Sequence, residues 1–77
     1  MFNYAIYKDK NKQKEVRSRL QRAYANSGMT IQELSEEIGV CWNSLYFFIH
    51  GRSFMQLATI IRVVDWLENE GGSYIEI

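Results

Sequence analysis

The sequence predicts an all-α domain of four helices, with short strand-like segments at its two ends that could pair with each other. Three observations lead to this prediction. Apolar residues recur at the three- and four-residue spacing of an amphipathic helix through most of residues 13–70. Capping residues and glycines divide that region into separate helices. The sequence contains no proline that would interrupt a helix.

The length and composition indicate one small globular domain. The chain has 77 residues, of which 47% are hydrophobic and 23% are charged, and these proportions are typical of a folded protein. We divide the domain, 1–77, into an N-terminal arm or strand over 1–12, a helical core over 13–70 and a C-terminal strand-like tail over 71–77. The core is expected to be small, so its stability should be modest unless a partner contributes.

The first helix is predicted over residues 15–26. Residues 2–7 are rich in strand-forming side chains, and the polar residues 8–14 are expected to form a loop or a frayed start of the helix. The predicted apolar face of this helix consists of Val16, Leu20, Ala23 and Tyr24. Three arginines lie on its other side: Arg17, Arg19 and Arg22.

The clearest local signal is a pair of short helices joined by a turn between residues 29 and 51. Thr30 and Glu33 have the spacing of a capping box, in which each side chain can accept a hydrogen bond from the other residue's backbone N–H. Leu34 and Ile38 provide one apolar stripe, and Gly39 follows directly, where a left-handed residue can end a helix. A second helix is expected over 41–50. Its core side is predicted to hold Cys41, Ser44, Leu45 and Phe48.

The last helix is predicted to open with a capping box between Ser53 and Gln56 and to end near Asn69. Its expected core face consists of Leu57, Ile60, Ile61, Val64 and Leu67. Three further apolar residues lie partly off that face: Met55, Val63 and Trp66. They are interpreted either as a dimer contact or as residues covered by the terminal segments.

The spacing within residues 29–67 resembles the Cro/repressor-type (Xre-like) helix-turn-helix regulators of phages and bacteria. The residues that carry the resemblance are Thr30, Leu34, Ser35, Ile38, Gly39, Val40, Leu45 and Gly51. It covers about half of the chain, or about two thirds when the helix at 15–26 is included. It implies a transcriptional regulator that binds operator DNA through the helix at 41–50.

The resemblance also implies which residues would contact DNA. The side of the helix at 41–50 that faces away from the core would contact base edges, and it contains Trp42, Asn43, Tyr46, Phe47 and His50. Arg52 and the start of the helix after Thr30 lie where members of the family contact phosphate. The arginines of the first helix, Arg17, Arg19 and Arg22, are added as further phosphate contacts.

The same outward face also supports an alternative function. It carries no Lys or Arg, three of its five residues are large aromatics, and Glu33, Glu36 and Glu37 lie on the preceding helix. Aromatic side chains are enriched where proteins bind proteins, and carboxylates complement a basic surface. The alternative is therefore an antirepressor that binds a partner repressor and blocks its DNA-binding surface. A third interpretation is that the terminal arms cover these rings and make them part of the core.

Composition bounds the remaining functional classes. Net charge is zero, but residues 1–28 are about +5 and residues 29–77 about −5, which permits a basic footprint on one side. A single cysteine, Cys41, and a single histidine, His50, cannot form an internal disulfide or a zinc site. We expect no enzymatic activity and no cofactor, because the sequence has no nucleophile–base set and no phosphate loop. Without a signal peptide or an 18-residue apolar run, a cytoplasmic protein is expected. A homodimer is left open.

Overall fold

The computed structural model describes residues 4–75, and these residues are all-α, as predicted. A 3-10 helix, Tyr4–Lys8, precedes five α-helices within the described range, whereas the sequence predicts four helices. The α-helices are α1 (Lys10–Ser27), α2 (Ile31–Ile38), α3 (Trp42–Ile49), α4 (Leu57–Glu68) and α5 (Gly72–Ile75). Helix α1 packs on α3, α4 and α5, while α2 packs on α3 and α4. None of the described helices combines the length and the apolar composition needed to cross a membrane.

The α2–turn–α3 segment has the local structure that the capping signals predict. The backbone N–H of Glu33 donates to Thr30 Oγ1 at 3.1 Å, and the N–H of Thr30 donates to Glu33 Oε1 at 3.0 Å. At the other end of α2, Gly39 adopts a left-handed conformation with φ of 86°. Its N–H donates to the carbonyl of Ser35 at 2.8 Å, so the chain leaves the helix without an unpaired carbonyl there.

The core is formed by one face of each long helix. On α1, Val16, Leu20 and Ala23 are buried and Tyr24 is half-buried, so the predicted apolar face is confirmed. The prediction for α4 is partly wrong. Its buried residues are Ile60, Val63, Val64, Trp66 and Leu67, whereas Leu57 and Ile61 are only half-buried. Met55, Val63 and Trp66 therefore belong to the core of the chain itself and do not form an exposed dimer contact.

The predicted strands are absent from the described residues. At the N-terminal end, Tyr4–Lys8 forms a 3-10 helix whose Tyr7 is buried, and Asp9 then caps α1 by accepting a hydrogen bond from the N–H of Asn11 at 2.7 Å. This cap starts α1 at Lys10 and not at residue 15. At the C-terminal end, Tyr74 in α5 stacks on Trp66 with ring centroids 6.2 Å apart. Predicted strand residues 2–3 and 76–77 lie outside the described range.

The capping box predicted at Ser53 does not form. Helix α4 begins at Leu57, and its N-cap residue Gln56 makes no side-chain cap hydrogen bond. The buried side chain of Gln13 fixes the preceding loop instead, because its Oε1 accepts from the N–H of Met55 at 2.9 Å and its Nε2 donates to the carbonyl of Met55 at 2.8 Å. Nε2 also donates to the carbonyl of Tyr7 at 2.8 Å. One side chain of α1 thus joins the N-terminal 3-10 helix to the loop before α4.

Candidate functional site

Helix α3 is held against the core by one side, which leaves its other side to solvent. Leu45, Phe48 and Ile49 are buried, and Val40 in the turn is half-buried. The prediction of the core side is wrong at one position, because Cys41 is exposed. Cys41 is the N-cap residue and has an extended backbone, with φ of −67° and ψ of 136°, so the helical periodicity does not apply to it. Ser44 is half-buried.

The five residues proposed to contact a target lie together on the outer side of α3. Trp42 is 45% exposed and Phe47 is 42% exposed, so no described residue buries either ring. Asn43 and His50 are also exposed, and Tyr46 is half-buried. The interpretation of these rings as core residues covered by the terminal segments therefore finds no support among residues 4–75.

The rings on this surface contact one another in a ladder along α3. Trp42 and Tyr46, four residues apart, stack with centroids 5.2 Å apart and planes at 19°. Tyr46 also contacts His50, at 4.4 Å, and meets Phe47 edge-on at 5.6 Å. Ring pairs in these geometries contribute about 0.5–1.5 kcal/mol beyond their buried area. Tyr46 is therefore the centre of a surface of contacting rings. We call this surface, which consists of Trp42, Tyr46, Phe47 and His50, the aromatic ladder.

Arg17 has a structural function that the sequence did not indicate. Its Nε donates to the carbonyl of Phe48 at 2.7 Å, and its Nη2 donates to the carbonyl of Ser53 at 2.8 Å. Its guanidinium lies over the rings of Phe48 and Phe54, 4.9 Å and 5.1 Å from their centroids. A cation at this position also interacts favourably with the C-terminal end of the α3 dipole. Two of its five N–H donors are thus used within the chain, so Arg17 joins α1 to the end of α3, and the predicted phosphate contact at this residue stays a prediction.

A second side chain of α1 reinforces the same junction. Gln21, one turn after Arg17, donates from its Nε2 to the carbonyl of Ile49 at 2.6 Å. The last carbonyls of a helix have no partner within the helix, so α1 satisfies two of those at the end of α3. Sequence reasoning placed Gln21 in α1 but gave no sign of this contact, because the contact depends on how α1 crosses α3.

The other predicted phosphate contacts differ in their availability. Arg19 is paired with Glu68 on α4, with Nη2 and Oε1 3.2 Å apart. Arg22 and Arg52 are exposed, and none of the described residues accepts a hydrogen bond from either guanidinium. The Thr30 oxygen accepts the capping hydrogen bond from the backbone N–H of Glu33, and this bond does not use the hydroxyl hydrogen, which is the group that could donate to a phosphate.

Charge is distributed unevenly around α3. Near its C-terminal end, the ammonium of Lys10 lies 5.5 Å from the centroid of the Phe54 ring, which also contacts Arg17. Arg52 follows this end of the helix directly, and its backbone N–H donates to the carbonyl of Phe47 at 2.8 Å. The basic first third of the chain therefore reaches the α3 C-terminus. Phe54 itself is 39% exposed and was not singled out from the sequence.

The acidic residues lie on α2, where Glu33, Glu36 and Glu37 are all exposed. The hydrogen bonds from the backbone and side chain of Thr30 lower the pKa of Glu33 below its ordinary value. The pKa of Glu37 is raised, because its carboxyl shares a hydrogen bond with that of Glu70 and the two negative charges repel each other. Glu37 therefore binds a proton more readily than an isolated glutamate would.

An open groove of about 300 Å³ lies between α2 and α4. Its lining combines carboxylates, one cation and one indole: Glu37, Ile38, Arg62, Asp65, Trp66, Asn69 and Glu70. The indole Nε1 of Trp66 is buried and has no hydrogen-bond acceptor among the described residues. The described residues contain no cluster of three or more His, Cys, Asp or Glu side chains that could hold a metal ion.

Comparison of the chain with protein-family models, with curated protein sequences and with solved structures finds no significant match.

Proposed function

We propose that the chain is a small transcriptional regulator of the Cro/repressor helix-turn-helix type, of phage or bacterial kind, and that it binds operator DNA through the outer side of α3. In this proposal α2 and α3 form the helix-turn-helix, and α3 lies in the major groove. The protein would act in the cytoplasm, where its target is found.

The observation that carries the proposal is the junction between α1 and α3. Affinity for DNA depends heavily on Lys and Arg near phosphates, and the outer side of α3 has neither. The hydrogen bonds of Arg17 and Gln21 to the end of α3 hold the basic segment of α1 at that end. Lys10, over the ring of Phe54, and Arg52, directly after α3, add two further cations near the C-terminal end of the helix.

The side chains on the outer side of α3 also suit DNA recognition. Direct readout in the major groove requires hydrogen-bonding and apolar groups that project from one side of a helix. Asn43 projects on that side with no hydrogen bond to its amide among the described residues, next to the exposed rings of Trp42 and Phe47. These groups can contact base edges, while the cations at the helix end contact phosphates.

The proposal is tested by selecting duplexes from a randomised pool of double-stranded DNA with the full chain, and then measuring affinity by fluorescence anisotropy at several salt concentrations. We expect a selected duplex whose affinity falls steeply with salt. Asn43→Ala should weaken binding to it, whereas the control Ser73→Ala on α5 should not. Failure to enrich any duplex would overturn the proposal.

A second function, binding a partner regulator, is favoured by the aromatic ladder on α3 and by the exposed carboxylates of α2. Trp42 and Phe47 expose ring surface of the kind found at the centre of protein interfaces. The exposed Glu33, Glu36 and Glu37 would complement the basic DNA-reading surface of a repressor. The chain would then act as an antirepressor that occupies that surface.

The two functions differ in what the aromatic residues contribute. If the target is a repressor, Trp42→Ala and Tyr46→Ala should abolish its co-purification while the fold stays intact, and no duplex should bind. If the target is DNA, the same variants should lose sequence preference but retain salt-dependent binding to duplex DNA, since the cations remain in place.

A further inference from the structure

The polar groups on the outer side of α3 are few, and they restrict which bases can be recognised. In helix-turn-helix proteins the residues near the N-terminus of the recognition helix contact base edges. On the outer side of the first two turns of α3 these are Trp42, Asn43, Tyr46 and Phe47. Apart from the Tyr46 hydroxyl and the indole N–H of Trp42, the Asn43 amide is the one side-chain group there that can form hydrogen bonds.

This set of side chains is poorly suited to guanine. The commonest specific contact to guanine is a bidentate one from Arg or Lys to its O6 and N7, and neither residue occurs on this surface. An Asn amide, by contrast, can accept from N6–H and donate to N7 of adenine. The Asn43 amide is exposed and unpaired among the described residues, so both of its groups are available.

The exposed rings of Trp42 and Phe47 suit thymine, the base that pairs with adenine. Thymine presents a C5-methyl group in the major groove, and apolar side chains are the groups that contact it. Trp42 and Phe47 flank Asn43 on α3, one residue before it and four residues after it, and are 45% and 42% exposed. Because both rings contact Tyr46, at 5.2 Å and 5.6 Å, they lose less conformational freedom when they bind than free side chains would.

We infer that α3 recognises A·T base pairs, with the Asn43 amide on adenine and the rings of Trp42 and Phe47 against thymine methyl groups. The inference rests on the proposed DNA-binding function and specifies the base composition of its target. It requires a site whose central base pairs are A·T, with guanine confined to positions outside the reach of these side chains.

The test uses the full chain, the duplex selected from the random pool and a copy of that duplex in which deoxyuridine replaces each central thymidine. This replacement removes the methyl groups and leaves the hydrogen-bonding edges unchanged. Each contacted methyl should account for a roughly fourfold difference in affinity. The control is a duplex with deoxyuridine only in the flanks, outside the footprint of the protein. Its affinity for the chain should equal that of the unaltered duplex.

A matched variant distinguishes direct contact from an effect of the methyl groups on DNA shape. In Phe47→Ala, an exposed position whose truncation leaves the core intact, the ring that touches a methyl is gone. The thymidine and deoxyuridine duplexes should therefore differ by a smaller factor with this variant than with the unaltered chain, because the two changes remove the same contact. An equal factor in both proteins would overturn the assignment of Phe47.

The outcomes separate the inference from the proposed function. Selection of duplexes with an A·T centre, together with weaker binding of the deoxyuridine copy, supports the inference. Selection of duplexes with a G·C centre, or equal binding of the two copies, overturns the inference but leaves DNA binding standing. Enrichment of no duplex at all overturns the DNA-binding function itself, and the thymine contacts with it.

Discussion

Replacing Arg17 by glutamine tests whether this arginine holds α1 to α3 or contacts DNA. The guanidinium makes two hydrogen bonds to carbonyls, at 2.7 Å and 2.8 Å, and covers the rings of Phe48 and Phe54. A hydrogen bond from a charged donor contributes about 1.5–3 kcal/mol, and a cation over an aromatic ring about 0.5–1 kcal/mol at an exposed site.

The expected loss of stability follows from these contacts. Glutamine is shorter and neutral, so it can retain at most one of the two hydrogen bonds and none of the cation–ring attraction. Since Arg17 is half-buried, we take the lower values, and Arg17→Gln should lower the free energy of unfolding by about 2 kcal/mol. The assay is urea denaturation monitored by circular dichroism. The slope of the free energy of unfolding against urea concentration is compared between the two proteins.

Arg52→Gln is the matched control, because Arg52 is exposed and its side chain has no partner among the described residues. This variant should leave the free energy of unfolding unchanged and should reduce the slope of log affinity against log salt by roughly 0.9, the share of one phosphate contact. Arg17→Gln should leave that slope unchanged under conditions where it is folded. Unaltered stability of Arg17→Gln would refute the structural function assigned to this residue.

Three further predictions concern the core and the groove. Gln13→Ala removes three buried hydrogen bonds and should lower the free energy of unfolding by about 3 kcal/mol in urea denaturation; a loss below about 1 kcal/mol would contradict the bonding described. Gly71→Ala would place Cβ 2.5 Å from the Trp66 ring and should cost about 1–3 kcal/mol, measured as a lower melting temperature; an unchanged melting temperature would contradict this packing. Because the pKa of Glu37 is raised in the folded state, protonated Glu37 stabilises the fold. This contribution to the free energy of unfolding is complete below the unfolded-state pKa and is lost as pH rises through the folded-state pKa. Glu70→Gln should therefore lower the Glu37 pKa, as followed by NMR titration, and lessen this loss; an unshifted titration would contradict the pairing.

The parts of the fold that local signals determine could be predicted from the sequence. The Thr30–Glu33 capping box and the left-handed Gly39 depend on a few neighbouring residues, and both occur as predicted. The apolar face of α1 follows from its periodicity, since Val16 and Leu20 lie one turn apart and both are buried. Such features are local, so a sequence is sufficient to identify them.

The errors arose where a residue's partner lies far away in the chain. Ser53 has the spacing of a capping box with Gln56, but the loop is held by Gln13, 42 residues from Met55 in the sequence. Gln13 lies three residues before Val16 and thus continues the apolar face of α1, a signal that could have shown it to be buried. Within the described range, strand propensity at residues 4–7 was overridden because Tyr7 packs into the core as part of a 3-10 helix.

The candidate site was predicted in its positions but not in its supporting contacts. The outer side of α3 could be derived from helical geometry, which places Trp42, Asn43 and Phe47 away from the buried Leu45. The function of Arg17 could not be derived from the sequence. An arginine on the polar side of an amphipathic helix has the same sequence signature whether it contacts solvent, phosphate or the end of a neighbouring helix. Only the crossing of α1 over the C-terminal end of α3 distinguishes these possibilities.

The most direct test of the central claim, that the outer side of α3 binds duplex DNA, is acrylamide quenching of tryptophan fluorescence in the unaltered chain. The chain has two tryptophans, and Trp42 is 45% exposed whereas Trp66 is 7% exposed, so the quencher reports mainly on Trp42. Addition of the selected duplex should protect Trp42 and lower the quenching constant towards that of a buried indole. A duplex that binds, by anisotropy, while the quenching constant stays unchanged would contradict the claim.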